Sequence, residues 1–277
     1  MGARHVAFVS AVAHGLTAAL PKWPRIATRA RVAADLVPVV EVATEAGPLK
    51  FYTPSKTAIY WPRHAFAAEP DTLRWIASFP AGSVLWDIGA SVGCYALYAG
   101  LKGTDVFCFE ANPYTYICLA HNIRLNDLAF KVRAYCIAVS DVPGVDELFM
   151  PNFDAGTTGN ALGNPSLSTA RENAGSATVP ILSLSMDMLA SDIKVPIPTH
   201  VKIDVDSIEE KIVRGGTSVL SNSRVRSVLI EEVETKTPAG SHHSRLDRIH
   251  EMMANCGFSC AAEEARRPTA NRIYFRT

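Results

Sequence analysis

The sequence predicts an α/β protein of the doubly wound kind, and three observations carry the prediction. A short apolar run, Val84-Leu85-Trp86-Asp87-Ile88, stops at a glycine turn, Gly89-Ala90-Ser91-Val92-Gly93, and an apolar helix-like segment begins at Cys94. A second run, Asp105-Val106-Phe107-Cys108-Phe109, ends in Glu110, 21 residues after Gly89. Further runs recur at 132–138, 201–205 and 226–233. Strand, glycine turn and helix form the opening unit of such folds, which bind ligands at the carboxyl ends of their strands.

Composition narrows the class before any motif is used. A chain of 277 residues with 48% hydrophobic content can bury a large core, and 27 basic residues balance 27 acidic ones. That balance argues against a dedicated nucleic-acid binder, which carries a basic surplus. No apolar run reaches the roughly 18 residues that a bilayer span needs. The six cysteines are widely spaced, and only Cys256 and Cys260 approach a metal-ligand spacing, so reduced thiols in a cytoplasmic protein are expected.

The elements follow in chain order. Residues 1–47 are expected to form a helical extension and residues 48–277 the main domain. Residues 6–20 resemble a signal sequence at first sight, but His14 interrupts the run and Pro21-Lys22-Trp23-Pro24 follows in place of a small-residue cleavage site. Val6, Val9, Ala13, Leu16 and Leu20 fall on one helical stripe, and five basic residues precede the first acid, Asp35. Residues 1–34 would therefore lie on the main domain, on an anionic membrane surface or on a partner subunit. Eight of the 17 prolines fall in the first 80 residues and break this region into short pieces.

At the first turn, Gly89 allows a tight bend and Gly93 a close approach of ligand or strand. Asp87, two residues earlier, is placed to face a cationic amino acid group, and Glu110 to accept hydrogen bonds from both hydroxyls of a ribose. A dinucleotide fingerprint needs a middle glycine that is missing here, and Asp87 would repel a pyrophosphate. S-adenosylmethionine carries an ammonium and a sulfonium and no phosphate, so the carboxylate favours it over a nicotinamide cofactor.

Asn112-Pro113 predicts a helix start, with asparagine as cap and proline at the first helical position. Residues 132–138 read as a third strand, and 145–150 and 178–184 as two strands outside the alternating pattern. Between them, residues 151–177 are rich in Gly, Asn, Ser and Thr, the composition of a long loop that acts as a lid. Residues 201–205 read as the fourth strand, and Ser207-Ile208-Glu209-Glu210 as a capping box opening a helix that Gly215-Gly216 closes. Asp204 at that strand end has two readings: a carboxylate bonded to helix-start amides, or an active-site acid beside the transferred group. Residues 226–233 form a fifth strand ending in Glu231 and Glu232, and His242-His243 follow. Asp204, one glutamate and one histidine would make an oxygen- and nitrogen-rich divalent-metal site; each alone reads more readily as a surface residue. Residues 257–260 and 271–275 suit a closing strand pair.

Taken jointly, several pieces resemble the FkbM family of methyltransferases. They are Trp86-Asp87-Ile88-Gly89-Ala90-Ser91-Val92-Gly93, Phe109-Glu110-Ala111-Asn112-Pro113, Asn122 and Asn126, Ala138-Val139-Ser140-Asp141, and Val201-Lys202-Ile203-Asp204-Val205-Asp206-Ser207-Ile208-Glu209 through Arg214-Gly215-Gly216. The family usually has Glu-Gly at Asp206-Ser207 and Asn at Ser91. The resemblance implies a Rossmann-like seven-stranded methyltransferase sheet with helices on both faces and an antiparallel last strand. It further implies S-adenosyl-L-methionine as donor and transfer to a hydroxyl of a sugar, glycan or natural product. By that analogy Asp87, Gly89, Ala90 and Gly93 border the methionine part, Glu110 holds the ribose, Ala138 and Val139 lie beside the adenine, and Asn160 touches the donor. Asp204, His242 and His243 are the candidates for activating the acceptor hydroxyl. Two rival readings stay open: a nicotinamide-dependent oxidoreductase, and a non-catalytic module that keeps the fold to bind a partner.

Overall fold

The computed structural model describes residues 2–164, 177–206, 208–233, 245–260 and 269–277, and the chain divides into two units, Met1–Val39 and Val40–Thr277. The first unit holds helices α1 (Gly2–Thr17) and α2 (Lys22–Asp35). The second opens with a two-stranded sheet of β1 (Val39–Thr44) and β2 (Gly47–Tyr52), then α3 (Lys56–Ala68) and α4 (Pro70–Ala77). Ser55 starts α3 by accepting the Ala58 amide at 2.9 Å.

The predicted unit follows as β3 (Val84–Ile88), α5 (Cys94–Leu101), β4 (Asp105–Phe109), α6 (Pro113–Leu125) and β5 (Val132–Tyr135). Helix α5 is buried on every side from Cys94 to Gly100, which is why its sequence shows no amphipathic stripe. Asn112 caps α6 as expected, its side chain accepting the Tyr114 and Thr115 amides. Asn122 and Asn126 stitch α6 to the first hairpin. Asn122 accepts the Tyr52 amide at 2.6 Å and donates to the Val92 carbonyl at 2.8 Å, and Asn126 bonds both the amide and the carbonyl of Lys50.

Beyond β5 the chain leaves the main sheet. The expected strand 132–138 stops at Tyr135, and β6 (Ala138–Val139) pairs with β9 (Ala177–Leu184) in a second sheet that also holds β7 (Gly144–Met150) and β8 (Ala161–Leu162). The two strands outside the alternating pattern, β7 and β9, pair antiparallel over seven residue pairs from Gly144↔Ser183 to Met150↔Ala177.

The chain returns through α7 (Met186–Ser191) to β10 (His200–Ile203), α8 (Glu209–Arg214), α9 (Thr217–Ser221), β11 (Ser227–Val233), α10 (Arg245–Asn255), β12 (Phe258–Cys260) and β13 (Thr269–Arg276). The Glu210 half of the expected capping box is not made. Ile208 precedes α8 without a side-chain cap, and Glu210 reaches Arg214 at 2.7 Å and Arg248 at 2.8 Å instead; Ser207 lies outside the described residues.

Among the described residues seven strands form the main sheet in the order β12-β13-β11-β10-β3-β4-β5, parallel except for the antiparallel β13. Alternation along the strands feeds two cores. Trp86, Ile88, Phe107 and Ile203 face α7–α10, whereas Leu85, Val106, Cys108 and Leu229 face α3–α6. The register pairs Lys202 with Asp87. One residue past the paired Ile88, Ile203 and Ile230 come Gly89, Asp204 and Glu231, so the ends of β3 and β10 and the middle of β11 fall in one row. That row borders the site.

Candidate active site

A cavity of about 160 Å³ opens at the carboxyl ends of β3, β4 and β10. Its floor is the first turn, where the Gly89 amide bonds the Phe109 carbonyl at 2.9 Å and the backbone bends at φ +83°. A Cβ on Gly89 would stand 1.8 Å from the Asp204 carbonyl oxygen. The turn and the end of β10 therefore touch backbone to backbone, which only glycine permits. Gly89→Ala is expected to destabilise the fold by about 2–4 kcal/mol, combining a disfavoured φ with a displaced strand end. Equilibrium urea unfolding measures it, and a change below about 0.5 kcal/mol would mean the contact is not made.

On the β4 side Glu110 is 7% exposed and accepts the Ser91 amide at 2.9 Å and the Asn112 amide at 2.8 Å, one on each oxygen. Burial pushes its carboxyl up to about 7, against the pull of those two amides. A carboxylate has about four lone-pair sites, so two remain for ligand hydroxyls. The same bonds commit the Ser91 amide, which a pyrophosphate at this turn would need.

Ala138 and Val139 contribute apolar lining, and Asn160, from the described part of the 151–177 segment, lines the same cavity with its side chain bonded to Asn112 and the Thr157 carbonyl. That part is tied down at two points. Trp61 donates to the Gly156 carbonyl at 2.9 Å, and Asp206 accepts the Gly159 and Asn160 amides at 2.8 and 2.9 Å. Asp206, which the sequence reading noted only as a departure from the family pattern, is thus the clamp that brings Asn160 to the cavity. Residues 165–176 lie outside the described residues.

On the β10 side sits a charge cluster. Lys202 is buried; its Nζ lies 2.5 Å from Asp204 Oδ2 and 3.9 Å from Asp87 Oδ1, with the Tyr95 ring 5.1 Å away. Glu231 hydrogen-bonds Asp204, and Glu69 hydrogen-bonds Tyr95. Of the two carboxylates around Lys202, only the Asp204 side chain reaches the cavity, at 29% exposure against 1% for Asp87. Burial disfavours the Asp204 anion, but Lys202 and the bond from Glu231 outweigh it and hold the carboxyl below its ordinary value. Burial and the Asp204 charge push Glu231 up to about 9. The two shifts run in opposite directions, Asp204 toward its anion and Glu231 toward its acid, so the pair favours the state with one proton between them.

Six of the eight expected donor-site residues line the cavity: Gly89, Ala90, Glu110, Ala138, Val139 and Asn160. Two do not. Gly93 turns the chain into α5 at φ +93°, with Leu119 against it. Asp87 lies a layer behind the wall, and the cation beside it is Lys202, not a ligand group facing it directly; burial pushes its carboxyl up to about 6. Neither Asp87 oxygen has a hydrogen-bond partner. Asp204 bonds Lys202 and Glu231, which sets aside its reading as a helix-capping carboxylate. His242 and His243 lie outside the described residues, among which no group of three or more His, Cys, Asp or Glu is arranged to hold a metal. Lys202, Glu69, Tyr95 and Trp61 were missed; a lysine inside a four-residue buried strand was the available signal for the first, since such a charge needs partners.

Residues 87–260 match the family model described as "Methyltransferase FkbM domain". A hexuronic acid methyltransferase of Haloferax volcanii is 30% identical over 192 residues, 69% of this chain and 73% of that protein. A tRNA (guanine(37)-N(1))-methyltransferase of Schizosaccharomyces pombe is 39% identical over 77 residues, 28% of this chain and only 17% of that one. The crystal structure of a methyltransferase FkbM from Methylobacillus flagellatus superposes with a TM-score of 0.46 at 13% identity, covering 79% of this chain and 53% of that chain.

Proposed function

Because the chain belongs to the FkbM methyltransferase family, we propose that it transfers a methyl group from S-adenosyl-L-methionine to a hydroxyl oxygen of a sugar, glycan or hydroxylated natural product. The observation that carries this reading is the pair of opposed carboxylates, Glu110 beside the glycine turn and Asp204 across it. The sugar-directed activity in the name of the Haloferax volcanii relative supports a carbohydrate acceptor.

The residues fit the donor. Glu110 keeps two lone-pair sites for ribose hydroxyls, Ala138 and Val139 offer an apolar wall for a base, and the two carboxylates Asp87 and Asp204 around the single cation Lys202 make the ground behind the turn favourable to positive charge. S-adenosylmethionine supplies a methyl already activated on a sulfonium, so the protein's share of the work is alignment, water exclusion and removal of one proton. Asp204 accepts the proton of the acceptor hydroxyl. Lys202 keeps Asp204 ionised until then, and Glu231 already holds its own proton and does not compete. Glu69 and Tyr95 line the same end of the cavity and supply polar contacts for further hydroxyls. No step in this scheme requires a metal.

Donor binding by titration calorimetry is the first test. Glu110→Ala should weaken it by about 1.5–3 kcal/mol, the scale of hydrogen bonds to a charged group. The pH dependence has a definite sign. Asp87 and Glu110 lose their protons near 6 and 7, and a cationic donor with ribose hydroxyls favours both ionised forms. Affinity should climb roughly twenty-fold between pH 6 and pH 8. Without donor the sign reverses: these raised carboxyls help the fold fully only below their ordinary values of 3.8 and 4.5, and that help is lost as pH rises through 6 and 7. Silent donor titrations alongside tight NADH binding would return the oxidoreductase reading. Donor binding without release of S-adenosylhomocysteine on any hydroxylated acceptor would favour the non-catalytic module.

A further inference from the structure

A helix pair that folds in water turns its apolar stripes inward and its polar groups out. Helices α1 and α2 do the reverse. Their mutual contact is polar: Arg29 Nε donates to Thr17 Oγ1 at 2.7 Å, Arg29 also donates to the His14 carbonyl at 3.2 Å, and within α1 Thr17 is held by its own bond to the Ala13 carbonyl at 2.8 Å. Ser10, His14 and Thr17 share that stripe of α1 at helical spacing. Helix α2 has no buried residue, and its half-buried positions are Arg25 and Arg29. The large apolar side chains point outward instead: Phe8 is 70% exposed, Leu16 79% and Trp23 73%, with Val12 and Ile26 also exposed. Phe8, Val12 and Leu16 follow each other at intervals of four, about 180° around α1 from the polar stripe.

We infer that this helix pair docks on an anionic lipid surface, lying in its plane with Phe8, Val12, Leu16 and Trp23 at the boundary of headgroups and acyl chains. Charge complementarity names the occupant. No Asp or Glu occurs before Asp35, while α2 carries Lys22, Arg25, Arg29 and Arg31, of which Arg29 holds the contact with α1 and Arg31 pairs with Asp35 at its end. A second copy of the chain would bring the same cations against one another, whereas anionic headgroups neutralise them. Lys22 stands 5.3 Å over the Trp23 ring, an aromatic and a cation of the kinds that favour the bilayer interface. Helix α1, 16 residues or about 24 Å long, suits lying in the interface, and among the described residues no helix is long and apolar enough to cross a membrane.

The test uses the full chain and co-sedimentation with vesicles of phosphatidylcholine alone or with about 30% phosphatidylglycerol. Binding should be at least roughly tenfold tighter to the anionic vesicles and should weaken as salt is raised. A Phe8→Asp/Leu16→Asp variant should lose at least about tenfold on the anionic vesicles, and Lys22→Glu/Arg31→Glu should abolish the preference for them. Unchanged donor affinity in both variants establishes that the second unit is intact. The inference is overturned if the parent chain ignores anionic vesicles, or if the Phe8/Leu16 variant binds them as well as the parent. It is equally overturned if sedimentation without lipid reveals a dimer that this variant dissolves, because a second copy would then cover the face.

Discussion

An Asp204→Asn variant is expected to lose methyl transfer by about 10²–10⁴-fold while its donor affinity changes by less than about threefold. Asparagine keeps the shape and one acceptor oxygen but cannot take the proton of an alcohol. The exchange also unmakes the charge arrangement around it: Lys202 retains only Asp87, at 3.9 Å, as an anionic partner within 4 Å, and Glu231 loses the neighbouring anion that helps to raise its carboxyl. The split between turnover and donor affinity separates a base from a structural clamp, because a clamp would alter both with stability. In the parent enzyme Lys202 holds the Asp204 carboxyl below its ordinary value while Glu231 is pushed up to about 9, so this pair should leave turnover flat across the neutral range. Single-turnover assays with saturating donor measure it. Transfer within fivefold of the parent would remove Asp204 as the base and leave the acceptor to be activated by another group.

Much of the sheet was legible because strands and turns are local events. The run 84–88, its glycine turn and the acid at Glu110 are set by alternation, by positive-φ positions and by loop length, all within 30 residues of chain. Asn112-Pro113 worked for the same reason: the cap bonds amides two and three residues on. Expectations failed where a distant partner decides. Residues 132–138 read as one strand since every position is compatible with extension, yet the pairing of Ala138 with Ser183 draws the chain into the second sheet. The motif at 207–210 has the residues of a capping box, but Glu210 finds Arg248, 38 residues away, a stronger partner than one backbone amide.

The site divides along the same line. Glu110, Gly89 and Asp204 sit at strand ends, and period-two alternation places them in the cavity wall without further knowledge. Asp87 fell short of its expected contact because the same alternation puts it one row deeper, where the register brings Lys202 beside it. Glu69 could not be found from the sequence. It lies at the junction of α3 and α4 and is held by Asn271, 202 residues later on β13.

Lys202→Met is expected to destabilise the protein by about 3–5 kcal/mol at pH 8, the cost of stranding buried charges by removing one partner. Lys202 is 2% exposed, and two carboxylates depend on it. Those same carboxylates raise its own pKa above the ordinary 10.5 despite its burial, so it stays charged through the neutral range. Without it Asp87 and Asp204 must either ionise unpaired or hold protons far above their usual range. The penalty should therefore be largest at pH 8 and shrink as the pH falls toward 5 and both groups protonate. An Asp87→Leu/Lys202→Met double variant should recover part of the loss, since an apolar pair of similar volume leaves less charge stranded. It should not recover donor binding, because the negative ground behind the turn is gone. Urea unfolding at the two pH values, with donor calorimetry beside it, reads both effects. A single-variant penalty below about 1 kcal/mol at pH 8, or one that grows on acidification, would mean that Lys202 does not hold the charges of this cluster in balance.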